Sequence, residues 1–389
     1  MKSRILSPLL ILLFITACNG TIDVGIEHSS TGTATPNPMV IDTLSPANTV
    51  LPTVTQSASA ATLSVPTATL VLGNTSITAP TITAPANPGL ANYIDDRSTP
   101  SQVIVSFYNA IDRKEYSRAY GYWADPATSL GSFNSWSNGY GDTASVGLVF
   151  GQLTGDPGMS QVYYTVPVIL KVTSKDNTQA NYSACYVVHE TTPDVFGAPP
   201  ISPMSIAQGS AQPSDINASN ASVLATACSG YPVGGNPPFS ASSNGLNIDK
   251  NNFVDNRSGP VETVSSLLNA INLKQYVRAY SYFQVPATFP GPYDSYAAGY
   301  TDTQAITVTF GTPQSEGAAG SLYFKVPLAL KVSTTTNTTQ TFVGCYTLRL
   351  SQPANQTTPP FQPMGIISGK FTQLANGTDV NPLLPAACN

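Results

Sequence analysis

Apolar residues along the chain follow a helical period first and a strand period afterwards. Four of them recur at spacings of three and four residues, namely Ile104, Phe107, Tyr108 and Ile111. Because Thr99 offers an N-cap and Pro100 suits the first helical position, the sequence predicts a helix that begins here. A second helix is predicted from Tyr116 to Pro126, which should end it, and a short third helix over residues 133–139.

From about residue 143 onward the apolar residues alternate, as in a half-buried strand. Val146, Leu148 and Phe150 mark the first strand, and further strands are predicted over residues 162–172, 182–189 and 204–207. Pro167 falls inside the second of these strands. Because proline cannot donate a backbone hydrogen bond, the sequence predicts an edge position or a bulge there, and hence a bent strand.

The whole pattern returns 160 residues later. Residues 269–303 repeat residues 109–143, and the offset is the same from Arg97 to Arg257. A period of this length corresponds to an entire domain, because solenoid repeats recur every ~20–50 residues. The sequence therefore predicts two repeats, residues 92–228 and 252–388, joined by an aperiodic linker over residues 229–251.

Helices followed by bent antiparallel strands predict an α+β fold. Three features resemble the NTF2-like superfamily, which includes cystatin-like and SnoaL-type domains. They are the tyrosine-rich helical segment 110–122, the Gly-Tyr-x-Asp-Thr turn that ends at Thr143, and the Val-Pro strand before the Cys-Tyr strand. The resemblance covers both repeats and implies two tandem cones, in each of which a bent sheet wraps around the first helix. It also implies that the open end of a cone can hold a small ligand, and that the two domains could pair within the chain.

The first 18 residues have the features of an export signal. Lys2 and Arg4 precede an apolar run over residues 5–15, which is too short to span a bilayer. The quartet Ile-Thr-Ala-Cys that ends at Cys18 resembles the bacterial lipobox, in which the cysteine is lipidated. The resemblance implies a lipoprotein signal peptide over residues 1–17 and an anchor on Cys18, at the outer face of a bacterial membrane in the cell envelope. An ordinary signal peptide with an incidental cysteine is the alternative.

The stretch that follows, residues 18–91, is rich in Thr, Ser, Pro and Ala and contains neither lysine nor arginine. Its apolar residues show no period, so they cannot form a packed face. We therefore predict a disordered stalk that holds the folded part away from the membrane.

The chain is mildly acidic, with a net charge of −5 at pH 7 and only 10% charged residues. Without Lys2 and Arg4, 14 of the 16 basic residues remain against 21 acidic ones, and the net charge becomes −7. A protein that binds nucleic acid needs a basic face that neutralises phosphates. We therefore do not expect nucleic acid as a partner.

Apart from Cys18, one pair of cysteines lies in each repeat, and its members are 43 positions apart. Four cysteines allow three pairings. The duplication favours pairing within each repeat, of Cys185 with Cys228 and of Cys345 with Cys388, and each bridge would contribute about 4 kcal/mol in the chain-entropy model. A metal site is the alternative, but it lacks histidine partners.

If both repeats were catalytic, the catalytic residues should occur in both. Besides the tyrosines, six ionisable pairs meet this condition: Asp95 with Asp255, Arg97 with Arg257, Lys114 with Lys274, Arg118 with Arg278, Asp142 with Asp302, and Lys171 with Lys331. The catalytic candidates among these pairs and the tyrosines are Asp142 with Asp302, Arg118 with Arg278, and Tyr140 with Tyr300. The aspartates suit acid–base catalysis, the tyrosines suit hydrogen-bond donors, and the arginines suit a substrate clamp. A structural role is favoured for each aspartate and arginine. An aspartate after a helix-ending glycine commonly caps a turn, and Arg118 could form a salt bridge with Asp142 or Asp95.

Other chemistry has little support in the sequence. Only His28 and His189 occur, and Arg349 replaces His189 in the second repeat, so histidine triads and two-histidine metal sites are excluded. A glycine-rich phosphate loop with its lysine is also missing. Four aromatic residues outside the predicted buried stripes could stack on sugars, namely Tyr122, Trp136, Tyr282 and Tyr296.

Together these patterns favour a membrane-anchored bacterial surface lipoprotein that displays two domains for binding or a structural role, without catalysis, cofactor or metal. Besides the membrane, its partners would be an envelope protein, a glycan or a small apolar ligand. One alternative is a small-ligand binder, or an enzyme of the SnoaL or ketosteroid-isomerase type, that uses the cone interior. Extracellular glycan binding is the other.

Overall fold

The computed structural model describes residues 90–158, 160–231, 239–240 and 253–389. The predicted signal peptide, the anchor Cys18, almost all of the stalk and most of the linker lie outside the described residues. We call residues 90–231 the first half and residues 253–389 the second half. Both halves belong to one compact unit.

The helices of the first half are α1 (Pro100–Asp112), α2 (Tyr116–Tyr120), α3 (Pro126–Leu130), α4 (Phe133–Asn138) and α5 (Asn220–Thr226). Its strands are β1 (Thr143–Phe150), β2 (Thr154–Gly158), β3 (Gln161–Ser174), β4 (Gln179–Thr191) and β5 (Ser205–Ser214), and β2 also pairs with the two-residue strand β6 (Phe239–Ser240). The second half contains the helices α6 (Pro260–Asn272), α7 (Tyr276–Tyr280) and α8 (Tyr293–Ala298). Its strands are β7 (Thr303–Phe310), β8 (Gln314–Ala318), β9 (Ser321–Thr334), β10 (Thr339–Ser351) and β11 (Gly365–Leu374).

Each half therefore has one antiparallel sheet beside its helices, and the mixed α+β class is confirmed. The first sheet has the order β5-β4-β3-β2-β6, and the second has the order β11-β10-β9-β7. The long strand β3 pairs with both β1 and β2 on one side, as β9 does with β7 and β8. Corresponding strands thus occupy corresponding places in the two sheets.

The core of each half lies between the first long helix and the sheet. On α1, the residues at helical spacing are at most 4% exposed and belong to one apolar cluster with β3, β4 and β5. Thr99 accepts a hydrogen bond from the N–H of Gln102 at 3.2 Å, which confirms the predicted N-cap. The copy, α6, packs in the same way in its own cluster.

Pro167 lies in the middle of β3, yet the hydrogen-bonded pairing of β3 with its neighbouring strands accommodates it. Its carbonyl accepts from the N–H of Gly151 at 2.8 Å, so its nitrogen faces the same side as β1 and β2. On that side β1 ends at Phe150 and β2 begins only at Thr154. The missing N–H therefore points at a gap between two strands, which is a local edge position, and the register with β4 runs through without a bulge.

The second helix is shorter than predicted. It ends at Tyr120, and Pro126 begins α3 instead of ending α2. The reason is a backbone pairing with β5: the N–H of Ile206 donates to the carbonyl of Tyr122 at 2.8 Å, and the N–H of Ala124 donates to the carbonyl of Ile206 at 2.9 Å. The chain must be extended here to make both bonds, and the helix therefore stops.

Two disulfides connect the sheets to the segments that follow them, which we call the first arm (residues 215–231) and the second arm (residues 375–389). Cys185 on β4 is bonded to Cys228, and Cys345 on β10 is bonded to Cys388, each with 5.0 Å between Cα atoms. The predicted pairing within each repeat is confirmed. Within the described residues, no helix combines the length and the apolar character needed to cross a membrane.

Candidate functional site

The two halves meet through the short segments that precede α1 and α6. Asp96 and Asn256 form an antiparallel bridge, and the side-chain amide of Asn256 donates to Asp96 Oδ2 at 3.2 Å. Burial raises the pKa of Asp96 to about 6; the hydrogen bonds from Ser98 oppose this rise and the charge of Asp255 adds to it. This bridge marks an approximate twofold axis between the halves, with a carboxylate on one side and an amide on the other.

Next to this bridge, backbone hydrogen bonds run in both directions across the junction. The N–H of Arg97 donates to the carbonyl of Asp255 at 2.7 Å, and the N–H of Arg257 donates to the carbonyl of Asp95 at 2.6 Å. This register places Asp95 opposite Arg257, and Arg97 opposite Asp255. Because each segment reads Asp-x-Arg, the antiparallel contact is self-complementary in charge.

Alternate residues of an extended segment share a face, so these four charged residues lie on one side of the junction. They line a cleft of about 280 Å³. Its other walls come from both halves, and most lining residues occur as copies 160 positions apart: Arg118 and Arg278, Gly121 and Ser281, Ile201 and Phe361, Pro203 and Pro363, with Tyr122. The cleft thus combines a charged floor with apolar sides.

Each aspartate of the floor accepts a hydrogen bond from a tyrosine whose ring also contacts an arginine of the floor. In the first half, the guanidinium of Arg97 lies 4.3 Å from the ring centre of Tyr122, whose hydroxyl donates to Asp95 Oδ1 at 2.7 Å. In the second half, Arg257 lies 4.4 Å from the ring of Tyr282, whose hydroxyl donates to Asp255 Oδ1 at 2.8 Å. Both tyrosines are fully buried.

The remaining carboxylate oxygens differ between the halves. Tyr93 donates its hydroxyl to Asp95 Oδ2 at 3.2 Å. Phe253 stands at the equivalent position and has no hydroxyl. Among the described residues, Asp255 Oδ2 has no hydrogen-bond partner, although Asp255 is only 7% exposed.

Arg118 and Arg278 also line the cleft, although each is only 2% exposed. Arg118 forms a salt bridge with Glu115, with 2.6 Å from Nη2 to Oε2. The predicted salt bridge with Asp142 or Asp95 is therefore wrong in its partner. Asp95 is reached only through the hydroxyl of Tyr122, to which Arg118 donates at 3.4 Å. Most of their donors are used within the protein, so these arginines support the charged residues of the floor.

The aspartates predicted at the turn before the first strand lie away from this cleft. Asp142 and Asp302 are exposed, and within the described part of the chain their carboxylates make no hydrogen bond. The prediction that the carboxylate caps the turn is wrong. The turn is held by the main chain instead, since the carbonyl of Asp142 accepts from Lys175 and that of Asp302 accepts from Thr335, both at 2.9 Å.

Tyr140 and Tyr300 pack into aromatic clusters, where burial raises the pKa of each to about 12. Tyr140 stacks on Tyr116 and meets the edge of Trp136 at 5.2 Å between ring centres. Tyr140 belongs to the same turn as Asp142, because its carbonyl accepts from the N–H of Thr143 at 3.1 Å, but its ring packs against Tyr116 and Trp136 while Asp142 is exposed. Arg118 is paired with Glu115 instead. The structure thus does not bring Asp142, Arg118 and Tyr140 together.

The aromatic candidates for sugar stacking are mostly inside the protein. Tyr122 and Tyr282 are fully buried and Tyr296 is 8% exposed, while Trp136 is partly buried against Tyr120 at 5.4 Å. They therefore do not form an exposed aromatic platform.

Aromatic side chains also occupy the space between α1 and the sheet of the first half. Phe107 contacts Tyr108, Trp123 and Tyr186, and the hydroxyls of Tyr108 and Tyr186 are 2.5 Å apart. The part of the space between α1 and the sheet that these side chains reach is filled.

The sequence interpretation missed two features of the cleft. Glu115 was left out because its copy is Gln275, and only residues shared by both repeats were considered. The exchange of Tyr93 for Phe253 was equally visible in the sequence, but its meaning depends on the contact with the aspartate. A search for exchanged positions, in addition to shared ones, could have found both.

Among the described residues, no cluster of three or more His, Cys, Asp or Glu side chains could hold a metal ion. Comparisons with family models, with curated proteins and with solved structures gave no match.

Proposed function

We propose that this chain is an exported, lipid-anchored envelope protein whose two NTF2-like halves form a single binding body without catalysis. The observation that carries the binding role is the junction, where two copies of one segment bond across an approximate twofold axis and enclose a charged cleft. Clefts with apolar walls and a few placed polar groups are typical of small-molecule sites.

The anchor and the fold family are supported by separate features. The lipobox-like quartet at Cys18 supports lipidation, and the two disulfides are typical of proteins in oxidising compartments. A first helix that packs against an antiparallel sheet, in both halves, supports the NTF2-like fold.

Metabolic labelling of the producing bacterium with a radioactive fatty acid tests the anchor. The chain should carry the label and sediment with membranes, and a Cys18→Ala variant should lose both properties. A label that persists without Cys18 would overturn the lipoprotein proposal. A Cys185→Ala variant is the matched control, because it removes a cysteine but keeps the lipobox.

The alternative of a SnoaL-type or ketosteroid-isomerase-type enzyme gains no support from the geometry. Its acid–base candidate, Asp142, is exposed on a turn, and the interior beside α1 is occupied by aromatic rings. Glycan binding through Tyr122, Tyr282 and Tyr296 lacks the exposed rings that it needs.

A further inference from the structure

Asp255 offers an open acceptor inside the junction cleft. Its Oδ1 atom accepts from Tyr282, while its Oδ2 atom has no partner among the described residues. Asp255 lines the cleft, so an ionised carboxylate oxygen without a partner there can accept a hydrogen bond from an ammonium group. In the first half, the hydroxyl of Tyr93 occupies the equivalent oxygen of Asp95. The exchange of Tyr93 for Phe253 therefore leaves Asp255 suited to a charged donor from outside the chain.

Arg97 stands opposite Asp255 in the register of the junction and still has donors to offer. Its Nη1 atom donates to the carbonyl of Met204 at 2.7 Å, and its Nη2 atom donates to the carbonyl of Gly121 at 2.9 Å. A guanidinium has five N–H groups, so three of those on Arg97 have no partner among the described residues. These two bonds and the stacking on Tyr122 fix the orientation of the group. A fixed guanidinium of this kind suits a carboxylate.

The two charges do not satisfy each other. Within the described residues, Arg97 and Asp255 form no ion pair at 4.0 Å or less. The ion pair that Asp255 does form there is with Arg257 on its own segment, at 3.9 Å. An acceptor for a cation and a donor for an anion thus face one cleft from opposite halves.

The walls add an apolar part to this recognition. Ile201 and Pro203 reach the cleft from the segment before β5, and Phe361 and Pro363 reach it from the segment before β11. The volume of about 280 Å³ lies just below the range of ~300–1,000 Å³ typical of drug-sized ligands. The occupant should therefore be a compact molecule with an apolar body.

We propose that this cleft binds one free α-amino acid with an apolar side chain. The ammonium group lies on Asp255 Oδ2, the carboxylate lies on Arg97, and the side chain lies between Ile201 and Phe361. One molecule binds per chain, because Tyr93 already occupies the equivalent oxygen of Asp95. The inference rests on the binding role proposed above, but it does not depend on the lipid anchor.

Calorimetry on the full-length, disulfide-bonded chain in detergent tests the proposal with three probes that share a phenyl body. L-phenylalanine should bind saturably with a stoichiometry of one. 3-Phenylpropanoate lacks the ammonium group and 2-phenylethylamine lacks the carboxylate, so each should bind at least about tenfold more weakly. The proposal is overturned if L-phenylalanine does not bind at millimolar concentrations, or if either analogue binds equally well.

The exchange between the two halves supplies the most informative variant. Phe253→Tyr should place a hydroxyl on Asp255 Oδ2, as Tyr93 does on Asp95, and should weaken L-phenylalanine binding about tenfold without a change of net charge. Asp255→Asn should weaken L-phenylalanine to a similar degree and leave 3-phenylpropanoate unchanged. Asp302→Asn is the matched control, because it removes an exposed carboxylate elsewhere.

Unchanged L-phenylalanine affinity in a folded Phe253→Tyr variant would overturn the assignment of Asp255. The three probes on the unmodified chain remain decisive if a variant does not fold. Failure of amino acid binding would leave the fatty-acid labelling result untouched, so the two proposals can fail separately.

Discussion

The two halves bury the same arginine in different surroundings. Arg118 lies against the carboxylate of Glu115, whereas Arg278 receives only the neutral side-chain oxygen of Gln275, at 2.7 Å from its Nε atom. Both also donate to a backbone carbonyl and to an asparagine, so most of the hydrogen bonding is shared. The comparison shows that both halves keep a hydrogen-bonded guanidinium at this position, while the carboxylate beside it can be replaced by a neutral amide.

The largest difference between the halves should follow from removal of these arginines. Arg118→Met leaves Glu115 buried with only Arg113 beside it, and breaking a buried ion pair in this way costs about 3–5 kcal/mol. Arg278→Met loses hydrogen bonds but deprives no carboxylate of a salt-bridge partner, because Asp255 is paired with Arg257, so the cost should be about 1–3 kcal/mol. Urea unfolding, with hydrogen exchange resolved for each half, measures both values.

Lys370→Met is a suitable control, because Lys370 is exposed on β11. Equal losses for Arg118→Met and Arg278→Met would show that the charge of Glu115 has no energetic consequence, and would remove the basis of the comparison.

The disulfides allow a second comparison, since both close loops with the same sequence separation of 43. Replacing either pair by alanine should lower the free energy of unfolding by about 4 kcal/mol. The loss of hydrogen-exchange protection near each bridge should differ between the two arms. None of the residues of α5 is buried, whereas Leu384 in the second arm is 6% exposed. Without its bridge, the first arm should lose hydrogen-exchange protection, and the second arm should retain part of it.

Tryptophan emission can follow the first half separately, because Trp123 and Trp136 both lie there. Equal loss of protection in both arms would mean that the contacts of Leu384 do not hold the second arm.

The sequence predicted the parts of the fold that depend on local periodicity. The start of α1 and the strands around Pro167 followed from patterns within one repeat, and both disulfides followed from the duplication. The strand β2 was missed because its residues, Thr154–Gly158, are polar or turn-forming and become a strand only by pairing with β3. The early end of α2 was missed for a similar reason, since Tyr122 leaves the helix to pair with Ile206.

The cleft was harder to predict than the fold. The Asp-x-Arg segments were visible, but their charge complementarity exists only when two copies meet in antiparallel register. Asp95, Arg97 and Arg118 occur in both repeats and are therefore visible as shared residues, whereas Glu115 is replaced by Gln275 in the second repeat. The turn aspartate Asp142 looked chemically suitable because its exposure could not be read from the local pattern.

The junction itself provides a comparison that depends on pH. Asn256→Asp would place a second carboxylate against Asp96, 3.2 Å away in the present contact, and would remove the amide donor. Two carboxylates this close cannot both ionise freely. The variant should lose on the order of 3 kcal/mol of stability at pH 8.

The sign of the pH dependence follows from Asp96. Its pKa is about 6 in the folded chain against an ordinary value of 3.8, so between these values the folded state binds more protons than the unfolded state. Stability therefore falls as pH rises through this window, and Asn256→Asp should make the fall steeper. Thermal unfolding from pH 4 to pH 8 measures this dependence of stability on pH. Asn376→Asp is the control, because Asn376 is exposed. A constant difference between variant and parent at all pH values would contradict the assignment.

The smallest expected effect comes from Asp112 and its copy Asn272, which link the end of the first helix to the first strand. Asn272 accepts from the N–H of Ile306 at 2.7 Å and donates to the carbonyl of the same residue at 2.9 Å. Asp112 accepts from the N–H of Val146 at 2.9 Å but cannot donate when ionised, and burial raises its pKa to about 6. Asp112→Asn should therefore add one hydrogen bond and remove a partly buried charge.

Because Asp112 is partly exposed, solvent screening reduces the electrostatic part, and we expect a gain of about 1 kcal/mol at pH 8. The gain should shrink as pH falls through 6, where the protonated carboxyl group of the parent chain can itself donate. Asn272→Asp is the reciprocal substitution. It should lower the free energy of unfolding by a similar amount at pH 8 and make the stability of the second half depend on pH. Parallel urea titrations at pH 8 and pH 4 measure both variants. If Asp112→Asn is neutral at pH 8, then the ionised carboxylate fits its place as well as the amide does. The two halves would then be energetically equivalent at this link.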